Sequence, residues 1–271
     1  MITTVVFARK RFGQNFLHDA GVIAHIVEAI DPRADDALVE IGPGHGVLTR
    51  PLLDAVVTAA TVSRASGSLD AVEIDRDLAA ELRSTLVPRG LVLHEGDALR
   101  FDFAALAATR GRKLRVVGNL PYNVSTPLLF HLLTTPSVLQ DLHIMLQREV
   151  IERICAAPGS DAYGRLTVML APWVATEHLF DVGPGAFRPA PKVWSAVARL
   201  TVRTEPAFTL APTYAAVVAA AFSQRRKTLR NALRSWLDAD AISACGIDPG
   251  ARPETLAPAE FGRLAAAVVN V

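Results

Sequence analysis

The sequence predicts an α/β protein: an open, mainly parallel sheet with an antiparallel strand at one edge, followed by a small all-helical C-terminal domain. Three observations lead there. Short apolar runs alternate with helical patterns over the first 200 residues. Most of those runs are continuously apolar, as expected of strands covered on both faces. From about residue 205 onward the pattern is helical only. A chain of 271 residues fits one large or two smaller domains of roughly 150 residues. At 51% hydrophobic and 20% charged, it is globular and buries a full core without staples.

The first residues, MITTVVFARKRFG, put a short apolar run before a basic cluster, Arg9–Arg11. That is the reverse of a signal peptide. The uncharged run 206–224 contains two prolines, and its apolar centre is far short of the ~20 residues a membrane span needs. Cys155 and Cys245 have no Cys-x-x-Cys or His partner at ligand spacing, so they are expected to be small buried residues, not zinc ligands or a disulfide. A soluble protein of the cytoplasm, with no membrane partner and no metal, is the expectation.

Taken in order, the strand candidates are ALVEIG (37–42), LDAVEID (69–75), LVLHEGD (91–97), LRVVGNLP (114–121) and DLHIMLQ (141–147). Helical stretches such as 76–87 and 125–133 lie between them, which implies parallel pairing through right-handed crossovers. Two further runs, 166–180 and 195–202, flank the loop VGPGAFRPAPKVW and predict an antiparallel pair at the sheet edge. Helices are expected over 214–222, 224–237 and 259–269. The domain division falls at 1–204 and 205–271.

The strand ends carry the chemistry. EIGPGHG (40–46) follows a strand and opens a helix, and its glycines allow a sharp turn and close approach to a ligand. By itself this is a weak motif that also suits an empty tight turn. The next strand ends in VEID, where Glu73 is placed to accept from two ribose hydroxyls. The third ends in GDAL, where Asp97 is placed to accept from an adenine amine. Glycine, acid and acid at three ordered strand ends describe a nucleoside site. The spacing G-x-G-x-G, not G-x-G-x-x-G, favours S-adenosylmethionine over a dinucleotide.

The fourth strand ends in NLPY. Pro121 has no N–H for a ladder and pushes Leu120 to extended geometry, leaving carbonyls free at the ligand edge. Asn119 adds an amide oxygen and Tyr122 a flat face for a base. Two acceptors beside an aromatic face suit an exocyclic amine. Further on, Arg225, Arg226, Lys227, Arg230 and Arg234 fall within ten residues that hold no acid. On a helix over 224–237, Leu229, Leu233 and Trp236, with Phe222 just before, would share one face and the cations another. Such a face suits phosphates.

RFGQNFL (11–17), EIGPGHGVLT, VEID, GDAL, NLPYN, LQREV (146–150), GAFRPAPKV (185–193) and FSQRRKTLRN (222–231) occur in the order found in the rRNA adenine N6-dimethyltransferases. The chain resembles this family over nearly its whole length, most closely the members that act on small-subunit rRNA. The resemblance implies a Rossmann-like class I SAM-dependent methyltransferase domain and a C-terminal domain that binds rRNA. It implies N6,N6-dimethylation of two adjacent adenosines in the loop of the 3′-terminal helix of 16S rRNA, with S-adenosylhomocysteine as product and a role in subunit biogenesis. It further implies a monomer with no obligate protein partner. Gln14, Asn15, Leu17, Gly42, Glu73, Asp97, Ala98 and Asn119 are then cofactor contacts. Asn119, Leu120, Pro121, Tyr122 and Phe187 form the target-base pocket. Arg188, Lys192, Arg225, Arg226, Lys227 and Arg230 contact RNA. One departure is TAATVSRASGS (58–68), which is similar to an exposed-loop insertion between the glycine turn and VEID.

Rival readings fit less well. Large-subunit rRNA enzymes of the Erm type resemble the first 200 residues but lack FSQRRKTLRN. DNA adenine methyltransferases carry two prolines where this chain has Leu-Pro. A dehydrogenase gives NLPY no role. A non-catalytic assembly module would have no need of Asn15, Glu73, Asp97, Asn119 and Tyr122 together.

Overall fold

The computed structural model describes residues 15–63, 67–121, 124–224 and 226–268. Arg9–Arg11, Gln14, Tyr122 and Arg225, all singled out above, lie outside them. The chain forms two compact units, one of residues 1–148 and 177–202, the other of 149–176 and 203–271. The second unit thus takes in a segment, 149–176, that a single division at 204/205 leaves in the first.

The first unit is built on a seven-stranded sheet. In chain order its strands are β2 (Ala37–Ile41), β3 (Ser68–Glu73), β4 (Val92–Glu95), β5 (Leu114–Asn119), β6 (Leu139–Gln147), β7 (Val174–Val182) and β9 (Ser195–Val202). They lie in the order β4-β3-β2-β5-β6-β9-β7. The pairs β4/β3, β3/β2, β2/β5 and β5/β6 are parallel, and β9 runs antiparallel to β6. All five expected early strands are present. Their continuous burial on β2, β3 and β5 explains why they read as unbroken apolar runs. The order reverses between β2 and β5, which opens a crevice at the carboxyl ends of the strands there.

Helices α1 (Ala20–Ile30), α2 (Thr49–Ser63), α3 (Arg76–Thr85), α4 (Phe103–Arg110) and α5 (Ser125–Leu132) connect these strands. Asp75 and Asp102 cap α3 and α4 by accepting from Asp77 N–H and Ala105 N–H, so the turns after the second and third strands end in defined helix starts. The core packs Leu38, Leu52, Leu69, Leu82 and Val117. At the sheet edge opposite the crevice, buried Arg115 donates to Asp36 Oδ2 (2.6 Å), Asp141 (3.1 Å) and the Ile30 carbonyl (2.6 Å). A guanidinium satisfied this fully locks β5 to its neighbours. A two-stranded antiparallel ribbon, β1 (Phe16–Leu17) with β8 (Phe187–Arg188), stands apart from the sheet.

Three expectations need correction. The segment 166–180 is not one strand: α7 (Arg165–Leu170) precedes β7. Residues 58–63 belong to α2, not to an exposed loop, because good helix formers such as Ala59 and Ala60 carry the helix on. The helix expected over 224–237 is only α9 (Leu229–Ala232). Its first amides, Leu229 and Arg230, donate to the Ala251 and Pro249 carbonyls, and Trp236 N–H closes a tight turn onto Leu233. Tertiary hydrogen bonds take the place of the ladder at these two amides, while the Leu233 and Leu237 amides still donate four residues back. Leu229, Leu233 and Leu237 are buried, while Trp236 is exposed.

The second unit is otherwise helical, with α6 (Arg148–Ile154), α8 (Tyr214–Ala221), α10 (Ala239–Ala244) and α11 (Pro258–Ala267). Tyr163, Tyr214, Leu229, Leu233, Phe261 and Leu264 form its core. Cys155 and Cys245 are free and half-buried, where full burial was expected. No helix among the described residues is long and apolar enough to cross a membrane.

Candidate active site

The crevice at the strand-order reversal holds a cavity of about 530 Å³. That is ample for a nucleoside-sized ligand. It is assembled from the ends of β2, β3, β4 and β5 and from the ribbon strand β1.

The glycine turn forms one wall. Gly44 has φ +58°, a left-handed conformation that a side chain resists, and a Cβ there would stand 3.2 Å from the Phe16 ring. With no side chain, its N–H reaches Glu73 Oε2 at 3.1 Å. Gly42 N–H donates to the Val72 carbonyl (3.0 Å), tying the turn to β3.

Glu73 ends β3 and is only 3% exposed. Its Oε1 accepts from Asp75 N–H (2.8 Å) and its Oε2 from Gly44 N–H. Burial raises its pKa, and the amides of Asp75 and Gly44 oppose that rise. Two backbone bonds fix the plane of the carboxylate, and each oxygen keeps a lone pair for hydroxyls at the cavity. Asp97 follows β4; its Oδ1 accepts from Leu99 N–H (2.9 Å) in a local turn, and it lines the cavity beside Ala98.

Asn119 ends β5. Its Nδ2 donates to the Asn15 carbonyl at 3.1 Å. With the donor end committed, the amide oxygen is the end left for a ligand. Leu120 N–H donates to the Met145 carbonyl, and the Pro121 carbonyl accepts from Val124 N–H (3.2 Å). The Leu120 carbonyl has no donor among the described residues. The sequence left open which backbone oxygen stands beside Asn119; among the described residues the Pro121 carbonyl has a donor and the Leu120 carbonyl has none.

Asn15, Leu17, Gly42, Glu73, Asp97, Ala98, Asn119, Leu120, Pro121 and Arg188 are thus gathered around one cavity. Phe187 is not among its lining residues. It is 2% exposed and packs in the core of the first unit. Side chains alternate along a strand, so with Arg188 turned to the cavity its neighbour Phe187 turns away. Lys192 is exposed and outside the lining, and Arg226, Lys227 and Arg230 are exposed on the second unit. Sequence reasoning missed Phe16, His45, Ile74, Leu99 and Val124, which also line the cavity. Ile74 carried a signal: an apolar residue between two acids at a strand end, here 47% exposed. The rings of Phe16 and His45 lie 4.6 Å apart, and His45 Nδ1 contacts Glu81 Oε2 at 2.9 Å.

Among the described lining residues Arg188 is the only Lys or Arg. A nucleoside-binding cleft at a sheet switch point, with a carboxylate at each of the two strand ends beyond the glycines, defines a Rossmann-like S-adenosylmethionine-dependent methyltransferase. Comparison with known proteins narrows this. The family model described as ribosomal RNA adenine dimethylase matches residues 6–268, and the chain belongs to that family. It is 53% identical over 262 residues to the ribosomal RNA small subunit methyltransferase A of Hahella chejuensis, covering 95% of this chain and 92% of that protein. The protein of the same name from Pseudomonas aeruginosa is 51% identical over 261 residues, covering 95% and 93%. Among solved structures, the 23S rRNA methyltransferase ErmE matches with a TM-score of 0.70 at 27% identity, covering 94% of this chain and 99% of that one. A dimethyladenosine transferase from Plasmodium falciparum shares the fold, with a TM-score of 0.74 at 22% identity over 92% and 95% of the two chains. The chain is an rRNA adenine dimethyltransferase that uses S-adenosylmethionine.

Proposed function

We propose that the chain dimethylates N6 of two adjacent adenosines in the loop of the 3′-terminal helix of 16S rRNA, within the small ribosomal subunit. The names of the relatives support the small subunit over the large one. The observation that carries the chemistry is the orientation of Asn119 by the Asn15 carbonyl, beside a Leu120 carbonyl that has no donor among the described residues.

In this reading Glu73 holds the ribose hydroxyls and Asp97 the adenine amine of the cofactor, with Ala98, Leu17, Gly42, Gln14 and Asn15 completing its cradle. The bound cofactor supplies an electrophilic methyl group on a sulfonium and leaves as S-adenosylhomocysteine. Asn119 Oδ1 and the Leu120 carbonyl accept the two N6 hydrogens of the target base. An amine held by two acceptors is drawn away from conjugation with its ring, and its lone pair is aimed at the methyl. This is positioning and electrostatics, not base catalysis. The methylated nitrogen is acidic and gives its proton to water, so the chemistry calls for neither a general base nor a metal. Tyr122 is assigned the stacking face. The base must leave its stack to enter, which makes unpaired loop adenosines the cheap substrates. The reading sets the enzyme in the cytoplasm, as a monomer with no obligate protein partner, contributing to subunit biogenesis.

The test is tritiated methyl transfer to under-methylated small subunits, large subunits and DNA. Label is expected in small subunits alone, and Asn119→Ala is expected to lower it by about 10²–10³-fold. Cofactor binding by the variant should weaken yet stay measurable. Label in large subunits alone, or a fully active variant, overturns the proposal.

A further inference from the structure

Beyond the target-base site, a second aromatic surface stands at the same edge of the sheet. β5 and β6 run parallel, with Asn119 paired to Met145, and both end at the crevice edge. β9 is antiparallel to β6, with Ser195 paired to Gln147, so the residue that precedes β9 lies at that edge too. That residue is Trp194. Its carbonyl accepts from Arg148 N–H at 2.9 Å, which extends the ladder by one step. From the register, Trp194 lies three residues along and two strands across from Asn119, about 14 Å away.

Trp194 is 50% exposed and Val193 before it 45%. A single exposed apolar side chain is ordinary. This indole, however, is held in place. The Arg148 guanidinium lies over its ring, 6.0 Å from the centroid. The far edge of its six-membered ring lies against Gly183, 3.8 Å from where a Cβ would stand. Arg148 Nη1 also pairs with Asp181 Oδ2 at 3.6 Å, and His178 contacts the other oxygen of Asp181. The loop that leads into Trp194 carries two exposed cations, Arg188 at the cavity and Lys192. A pre-positioned aromatic face flanked by cations is what single-stranded nucleic acid stacks on.

We propose that Trp194 is a stacking platform for an unpaired RNA base flanking the target adenosine. It rests on the rRNA reading and adds a second contact, distinct from the base that receives the methyl. The 14 Å offset spans about four stacked nucleotides, fewer when the strand is extended. Arg148 lends the ring a cationic backing, while Arg188 and Lys192 supply charge for the phosphates between the two bases. The platform holds the loop open on one side while the target is extruded on the other.

The full-length protein, Trp194→Ala and Trp194→Phe are compared in two measurements. Methyl transfer to under-methylated small subunits should show KM raised about 10-fold or more in Trp194→Ala and largely restored in Trp194→Phe, with kcat at saturating substrate, cofactor binding and melting temperature unchanged. Titration with single-stranded hexa-adenylate should quench tryptophan emission in the wild type and much less in Trp194→Phe, where Trp173 and Trp236 remain. An unchanged KM in Trp194→Ala overturns the proposal. So does a quench that persists in Trp194→Phe, or a raised KM for subunits with no quench by the oligonucleotide, which marks a protein contact instead. Label in large subunits alone defeats the functional reading, while the quench still tests Trp194 independently.

Discussion

Glu40 offers a sharp test of how the sheet beside the glycine turn is built. It lies in the middle of the sheet on β2, between Ala71 of β3 and Val117 of β5, and is 2% exposed. Its Oε2 has no hydrogen-bond partner among the described residues. Burial pushes its pKa from the ordinary 4.5 up to about 7; the Thr49 hydroxyl opposes the rise and the charge of Glu73 adds to it. The sign follows from proton linkage. Between the two values the folded state binds a proton that the unfolded chain has released, so stability falls as pH rises. The contribution is intact below pH 4.5 and is lost as pH climbs through 7. At about 1.4 kcal/mol per pH unit the full loss is about 3 kcal/mol, of which about 2.5 kcal/mol falls between pH 5 and 8. Glu40→Gln removes the titration while keeping the shape. Urea unfolding of both proteins at pH 5, 6, 7 and 8 should give a wild type that loses about 2.5 kcal/mol more than the variant across the range. Curves that stay parallel within about 1 kcal/mol would show that Glu40 ionises as an ordinary carboxyl and that the argument from burial is wrong.

Two further outcomes complete the set with the experiments above. Gly46 has φ +72°, and a Cβ there would stand 2.8 Å from Leu86 Cδ1 and 3.0 Å from Leu82 Cδ2. Gly46→Ala should therefore cost about 1–3 kcal/mol in chemical unfolding, from left-handed strain plus displacement of two leucines, and an unchanged midpoint would contradict it. Replacing Arg226 and Arg230 by Ala should lower the slope of log affinity for rRNA against log salt by about 1.4–1.8, the release expected from two phosphate contacts. A slope equal to that of the wild type would remove both residues from the RNA surface.

The strands and their ends were legible because the central strands are buried on both faces and write themselves as apolar runs. Gly42, Glu73, Asp97 and Asn119 each stop such a run, so their position at one sheet edge could be inferred before their contacts were known. Phe187 was not legible: a two-residue ribbon decides which way it faces, and no periodicity exists over two residues. The helix over 224–237 failed for another reason. Leu229 and Leu233 have helical spacing and are both buried, as the pattern required. The Leu229 and Arg230 amides were claimed by carbonyls some twenty residues away, which no local pattern records. Glu40 hid inside a strand run, where a carboxyl between apolar neighbours reads as nothing more than an interruption.

The hydrogen bond from Asn119 to the Asn15 carbonyl joins positions 104 residues apart. A carboxamide has two nearly isosteric ends of opposite character, and half a turn exchanges them. A carbonyl can bond only the NH₂ end. In the proposed reading this bond fixes polarity: with Nδ2 held by the Asn15 carbonyl, Asn119 turns an oxygen to the target base, which suits an amine and disfavours a carbonyl such as the O6 of guanine. Without that bond, one rotation about χ2 would give the opposite preference. In that reading, selection of an amine over a keto group rests on a peptide carbonyl contributed by a distant part of the chain.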